Sequence, residues 1–250
     1  MSSEPAVFPP RPFARAGRRL LLAVRCGLFR PRCRICGRDL VAEDETVLCR
    51  DCLAGIAPAA DDRCFVCGRF LSAGQAVCGP CLLAPPPFER HRSYAAYEGT
   101  LRQAIILYKF GEVEPLKHIL AGLYQETLAR ELPGAYDAVV PVPADRRRRH
   151  GFQPVQACGR VLARRLGIPL RDGLLVKKRS TPPQVGLTRA QRRVNLEGAF
   201  ALAPGARAGG LRLLLLDDVT TTGATLRRCA AALRRGGARV TALTLAQTRL

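Results

Sequence analysis

Four consecutive leucines, Leu213–Leu216, run into Asp217-Asp218-Val219-Thr220-Thr221-Thr222-Gly223-Ala224-Thr225. A short apolar run of this kind predicts a strand buried on both faces, as in a parallel sheet. Apolar residues then recur at helical spacing over Thr225–Arg235. Further strands are expected at residues 92–97, Asp137–Val142, Ala199–Leu202, Leu211–Leu216 and Val240–Leu245. Helices are expected at Thr100–Phe110, Pro115–Leu132 and Val155–Leu166, with Gly111, Pro133 and Gly167 as stops. Strands alternating with helices imply an α/β fold with a mostly parallel sheet.

The first third of the chain has a different pattern. Apolar residues are sparse, and eight cysteines form four CxxC pairs: Cys33/Cys36, Cys49/Cys52, Cys64/Cys67 and Cys78/Cys81. One CxxC turn points two thiolates at one ion, and two such turns complete a tetrahedral zinc site. Cys33-Arg-Ile-Cys36-Gly37-Arg38 is answered by Cys64-Phe-Val-Cys67-Gly68-Arg69, and Cys49-Arg-Asp-Cys52-Leu53 by Cys78-Gly-Pro-Cys81-Leu82. A repeat of about thirty residues points to two tandem units, each with one structural zinc. It favours sequential over alternate pairing of the CxxC turns. With so little apolar residue between the pairs, the metal must supply much of the folding energy. Cys26, Cys158 and Cys229 stand alone in apolar or helical stretches and read as packing.

Pro85-Pro86-Pro87 makes a stiff break. The expected organisation is a disordered basic tail over 1–19, a double-ribbon module over 20–84 and an α/β domain over 90–250. No stretch approaches the ~18 apolar residues of a membrane span. Arg25 interrupts the run Leu20–Val24, which argues against a signal peptide. Eleven cysteines without an export signal suit a reducing, cytoplasmic setting.

The net charge is +20; four of the 40 basic residues are lysine (Lys109, Lys117, Lys177, Lys178), leaving 36 arginines. Such a balance invites polyanions, whether nucleic acid, phosphorylated ligands or an acidic partner. Aromatic residues are few, so base stacking would be a minor contribution to nucleic-acid binding.

The candidate chemistry lies after the leucine strand. A threonine- and glycine-rich turn at a helix N-terminus presents backbone N–H groups and hydroxyls to a phosphate. The adjacent carboxylates suit vicinal hydroxyls or a metal, and a ribose phosphate offers both groups. Val140-Pro141-Val142-Pro143 precedes Arg146–Arg149, His150, Gly151 and Phe152, a basic loop at the carboxyl end of another strand. Lys177–Asn195 is long, polar and basic, as a lid would be. His118 and His150 have no carboxylate or nucleophile partner in sequence and are read as non-catalytic.

The Asp-Asp-x-Thr-Thr-Thr-Gly-x-Thr pattern resembles the phosphoribosyl-pyrophosphate loop of type I phosphoribosyltransferases. By that resemblance Asp217 and Asp218 hold the ribose. Thr221, Thr222, Gly223, Ala224 and Thr225 hold the phosphate. Over roughly residues 20–248 the chain resembles the ComF family. That likeness is carried by the cysteine repeat, Tyr97-Glu98-Gly99 with Lys109-Phe110, Val140–Pro143 and Arg149–Phe152. It continues through Thr181-Pro182-Pro183-Gln184 with Leu187, Arg192, Arg193 and Asn195, then Gly198-Ala199-Phe200 and the Asp217 loop.

The resemblance implies a type I phosphoribosyltransferase-like fold with an N-terminal double zinc ribbon. It implies phosphoribosyl pyrophosphate with Mg²⁺ as ligand, and a role in DNA uptake during natural competence. Lys109, Arg148, Arg149, Gly151, Gln184, Arg192 and Arg193 become candidates for the pyrophosphate or its lid. Single-stranded DNA and a competence helicase become candidate partners. The family has Asn-Gln after Gly-Phe where this chain has Gln153-Pro154, which affects the acceptor side. Chemistry would be displacement of pyrophosphate at the anomeric carbon. The alternative is a non-catalytic DNA- or helicase-binding module with a retained ribose-phosphate site.

Overall fold

The computed structural model describes residues 31–41, 44, 47–60, 62–72, 74–111, 113–144, 151–178 and 198–249. The chain divides into two compact units, 1–56 and 57–250. The first holds one cysteine cluster. The second holds the other cluster together with the sheet.

The main sheet has four parallel strands in the order β1 (Arg90–Ala96), β6 (Arg239–Gln247), β5 (Arg212–Thr220), β2 (Ala138–Pro141). The leucine strand is central. Leu213–Leu216 are all 0% exposed, paired with Val240–Leu243 on one side and Ala138–Pro141 on the other. Burying each such side chain contributes about 1.5–3 kcal/mol, an upper bound for an extended unfolded chain.

Successive strand residues face opposite ways. Leu213 and Leu215 pack with Leu226, Cys229 and Leu233 of α6 (Ala224–Arg235). On the other side Leu216 approaches Gly159 of α5 (Pro154–Leu166), where an added Cβ would stand 3.4 Å from Leu216 and 3.1 Å from Leu170. Here glycine permits close helix–sheet packing. α4 (Leu116–Glu131) packs beside α5 and against β1 and β6, following α3 (Gly99–Phe110).

One segment departs from the sequence expectation. Ala199–Leu202 does not join the parallel sheet. Its strand β4 (Phe200–Leu202) pairs antiparallel with a strand that periodicity missed, β3 (Leu175–Lys177). Three residues are too few to show alternation. Of the expected lid Lys177–Asn195, Lys177 ends β3, and the rest beyond Lys178 lies outside the described residues, as do 1–30 and 145–150.

Candidate functional site

The acidic pair lies within β5 and not at its very end, since the strand continues to Thr220. Alternation puts Asp217 on the α6 face and Asp218 on the opposite face. There, Asp218 Oδ2 meets Lys109 Nζ, from the last turn of α3, at 2.7 Å. Asp218 Oδ1 accepts from the Val219 N–H at 2.6 Å, and Asp217 Oδ1 from the Asp218 N–H at 3.0 Å. Tyr124 donates its hydroxyl to the Asp217 carbonyl at 2.6 Å.

Burial, and then the Asp218 carboxylate, push Asp217 up to about 8, with Lys109 opposing. Burial works against the charge on Lys109, but the Asp218 carboxylate keeps its pKa above the usual lysine value. Two adjacent acids, with Lys109 on one of them, make a setting that favours hydroxyl donors or a divalent ion.

Beyond Thr220, whose carbonyl accepts from the Thr248 N–H, the chain turns through Thr221 and Thr222. Gly223 caps α6 with φ 73°, a left-handed conformation that favours glycine. The first helical bond there runs from the Arg227 N–H to the Gly223 carbonyl, and the N–H groups ahead of it in the first turn are free of helical partners. Asp217, Asp218, Thr221, Thr222, Gly223, Ala224 and Thr225 are thus brought to one sheet end. The carboxyl end of β2 is adjacent, because the Val142 N–H donates to Leu216 O at 2.8 Å. Gly151 is exposed just before α5. Arg148, Arg149, Gln184, Arg192 and Arg193 lie outside the described residues. Cys158 and Cys229 are buried, and His118 is exposed.

The eight cysteines fall into two groups in sequential order: Cys33, Cys36, Cys49 and Cys52, then Cys64, Cys67, Cys78 and Cys81. Within each group the sulfur atoms lie within 4.8 Å of one another. The two units share the same backbone. Cys33 N–H bonds Arg38 O and Cys64 N–H bonds Arg69 O, while Gly37 and Gly68 donate back to the first cysteine of their turn. Short helices, α1 (Arg50–Ala54) and α2 (Gly79–Leu83), carry the last cysteine of each group.

The donor set fits zinc. Burial opposes charge on Cys33 and Cys64, but backbone N–H groups lower them to about 6 and about 7. Burial instead raises Cys52 and Cys81, and Cys67 to about 11, so a bound cation is needed to ionise all four thiols of either group.

The second ribbon is fastened to the sheet through residues that sequence reasoning passed over. His91 of β1 bonds the Cys67 carbonyl through Nδ1 at 2.8 Å and the Thr244 hydroxyl through Nε2 at 2.9 Å. A carbonyl only accepts, so Nδ1 carries a hydrogen. Burial lowers the ring's pKa to about 4. Arg92 donates to the Cys64 and Phe65 carbonyls, and Glu131 of α4 receives Arg63 at 2.7 Å and Arg92 at 3.0 Å. The strand expected at 92–97 begins earlier, at Arg90. Nothing in its period reveals the ribbon that covers it.

Residues 25–82 match the family model described as a double zinc ribbon domain. The chain is 34% identical over 181 residues to the DNA utilization protein YhgH of Salmonella typhimurium, covering 70% of this chain and 79% of the relative. It is 31% identical over 184 residues to Competence protein F of Haemophilus influenzae, with the same coverage. Among solved structures, orotate phosphoribosyltransferase from Aeropyrum pernix is matched at 22% identity and a TM-score of 0.37, over 56% of this chain and 64% of that one. Identity, coverage and the duplicated ribbon together make the chain a member of the ComF family of competence and DNA utilization proteins.

Proposed function

We propose that the protein is a phosphoribosyltransferase-like protein that binds phosphoribosyl pyrophosphate with Mg²⁺ and acts in the cytoplasmic handling of DNA during uptake. The observation that carries this reading is the acidic pair of β5 running directly into a glycine-capped helix N-terminus. Thr221–Thr225 would cradle the terminal phosphate, where the helix dipole and free N–H groups favour an anion. Asp217 and Asp218 would accept hydrogen bonds from the ribose hydroxyls. Mg²⁺ would offset the repulsion between the pyrophosphate and these carboxylates. Its fit rests on the oxygen donors of the acidic pair and on the burial of Asp217 beside the Asp218 carboxylate. Lys109 would orient Asp218.

A transferase of this kind works by positioning and charge neutralisation more than by proton transfer. The names of the relatives support the DNA context. Calorimetry with phosphoribosyl pyrophosphate, with and without Mg²⁺, tests binding. Wild-type protein that gives no heat at millimolar ligand overturns the reading. A pyrophosphate-release assay with candidate acceptors then separates transferase from binding module.

A further inference from the structure

The first metal turn of the second ribbon, Cys64-Phe65-Val66-Cys67, has each of its carbonyls bonded by one of two neighbouring residues of β1. Arg92 Nη1 donates to the Cys64 carbonyl at 3.2 Å and to the Phe65 carbonyl at 3.1 Å. The His91 N–H donates to the Val66 carbonyl at 2.8 Å, and His91 Nδ1 to the Cys67 carbonyl at 2.8 Å. A CxxC turn closes around a metal when both thiolates face the same ion. β1 therefore grips the backbone of a turn whose shape the zinc sets.

From β1 two routes lead to Asp217. Within the sheet, His91 Nε2 meets the Thr244 hydroxyl at 2.9 Å, and Thr244 of β6 is the register partner of Asp217 in β5. Register partners place their side chains on the same face of a sheet. Through α4, Glu131 pairs with Arg92 at 3.0 Å and with Arg63 at 2.7 Å. About two turns earlier, on the same side of that helix, Tyr124 donates its hydroxyl to the Asp217 carbonyl at 2.6 Å. His91, Thr244 and Tyr124 are all buried. Water cannot replace a lost partner there, and an orphaned polar group is costly. A metal turn that opens must displace the residues bonded to it.

We propose that Tyr124 and Thr244 are positioning residues that carry the zinc-set geometry of the second ribbon to Asp217, so that zinc in the second site and ligand at the acidic pair strengthen each other's binding. This rests on the reading of Asp217 and Asp218 as ligand-binding acids and adds a means of regulating that site. Coupling between two binding sites is reciprocal, so it is measurable from the zinc side.

The test uses full-length protein with both zinc ions bound. Zinc affinities are measured by competition with a zinc-selective chelator, with and without saturating phosphoribosyl pyrophosphate and Mg²⁺. Calorimetry follows the binding of that ligand. The expected result is a rise of about fivefold or more in the affinity of one zinc, with the other unchanged. Cys33→Ser protein, left with the second zinc alone, identifies the responsive site. Tyr124→Phe keeps the ring and loses the hydroxyl. It should hold both zinc ions, bind the ligand about threefold more weakly and reduce the zinc effect. Adding Thr244→Val should abolish the effect, and either single variant decides if the double variant fails to fold. Glu126→Gln, at a half-exposed position of the same helix, should leave it in full. A merely structural Tyr124 would lower the unfolding temperature and leave the linkage intact.

Ligand that binds but moves neither zinc affinity, or moves both equally, overturns the proposal and leaves the earlier reading standing. So does a rise that belongs to the first zinc, or one that Tyr124→Phe and Thr244→Val leave intact. Wild-type protein that gives no heat with the ligand overturns both.

Discussion

Lys109 Nζ stands 2.7 Å from Asp218 Oδ2, so the last turn of α3 supplies the cation for an acid on the central strand. Lys109→Met leaves two carboxylates without it and should destabilise the ligand-free protein by about 1–3 kcal/mol. Asp218→Asn in the same chain should recover part of that loss. A double-mutant cycle from denaturant melts measures the coupling, and additive effects would contradict the pairing.

The proton on Asp217 gives a pH signature. Its folded pKa, about 8, lies above its ordinary value of 3.8. Folding therefore favours the protonated form. That contribution is fully present below pH 3.8 and is lost as pH rises through about 8. Asp217→Asn cannot ionise, so without divalent cations it should gain on wild type between pH 5 and about 9. Unfolding midpoints at the two ends of that range check the sign. A stability difference that stays constant across the range would show that Asp217 keeps an ordinary pKa.

Glu131 receives two arginines, Arg63 and Arg92, whose side chains are 9% and 7% exposed. Glu131→Gln leaves two buried guanidinium groups without their counter-ion. The expected loss is roughly 3 kcal/mol, read as a lowered Tm of the zinc-loaded protein. Replacement of Glu126, whose contact with Arg130 is half-exposed, should cost under about 0.5 kcal/mol.

The two zinc sites should respond unequally. Cys64→Ser removes a ligand from the ribbon fastened to His91 and Arg92, and should lower the unfolding temperature of the sheet. Cys33→Ser should release one zinc and leave that transition in place. Metal analysis and thermal melts on both variants decide this, and equal damage to the sheet would refute the asymmetry.

A chain at +20 should bind single-stranded DNA mainly through its phosphates. The expected log affinity falls linearly with log salt, by about 0.7 for each phosphate neutralised. A flat dependence would transfer the role of the arginines to a protein partner.

Much of the parallel sheet was legible because Leu213–Leu216 is a continuous apolar run and Val240–Leu245 is apolar but for Thr241 and Thr244, a pattern that buried parallel strands impose. The cysteine groups were legible because each metal site is local in sequence. What escaped was non-local. Glu131 lies 68 residues from Arg63, and Tyr124 lies 93 from Asp217. The third histidine, His91, has its meaning only where Cys67 and Thr244 flank it. No periodicity announces a polar edge strand roofed by a metal ribbon.

Gly37 and Gly68 occupy equivalent turns with similar positive φ, 74° and 67°, yet their surroundings differ. A Cβ at Gly37 meets nothing within 4 Å, whereas one at Gly68 would stand 2.8 Å from the His91 carbonyl oxygen. The repeat is therefore symmetric in sequence and unequal in constraint. A side chain in place of Gly37 meets no neighbour within 4 Å; the same change at Gly68 must also satisfy the strand beneath it. Swapping the two copies would preserve every zinc ligand and still yield a misfitted protein, and sequence drift across the family should accumulate in the first copy faster than in the second.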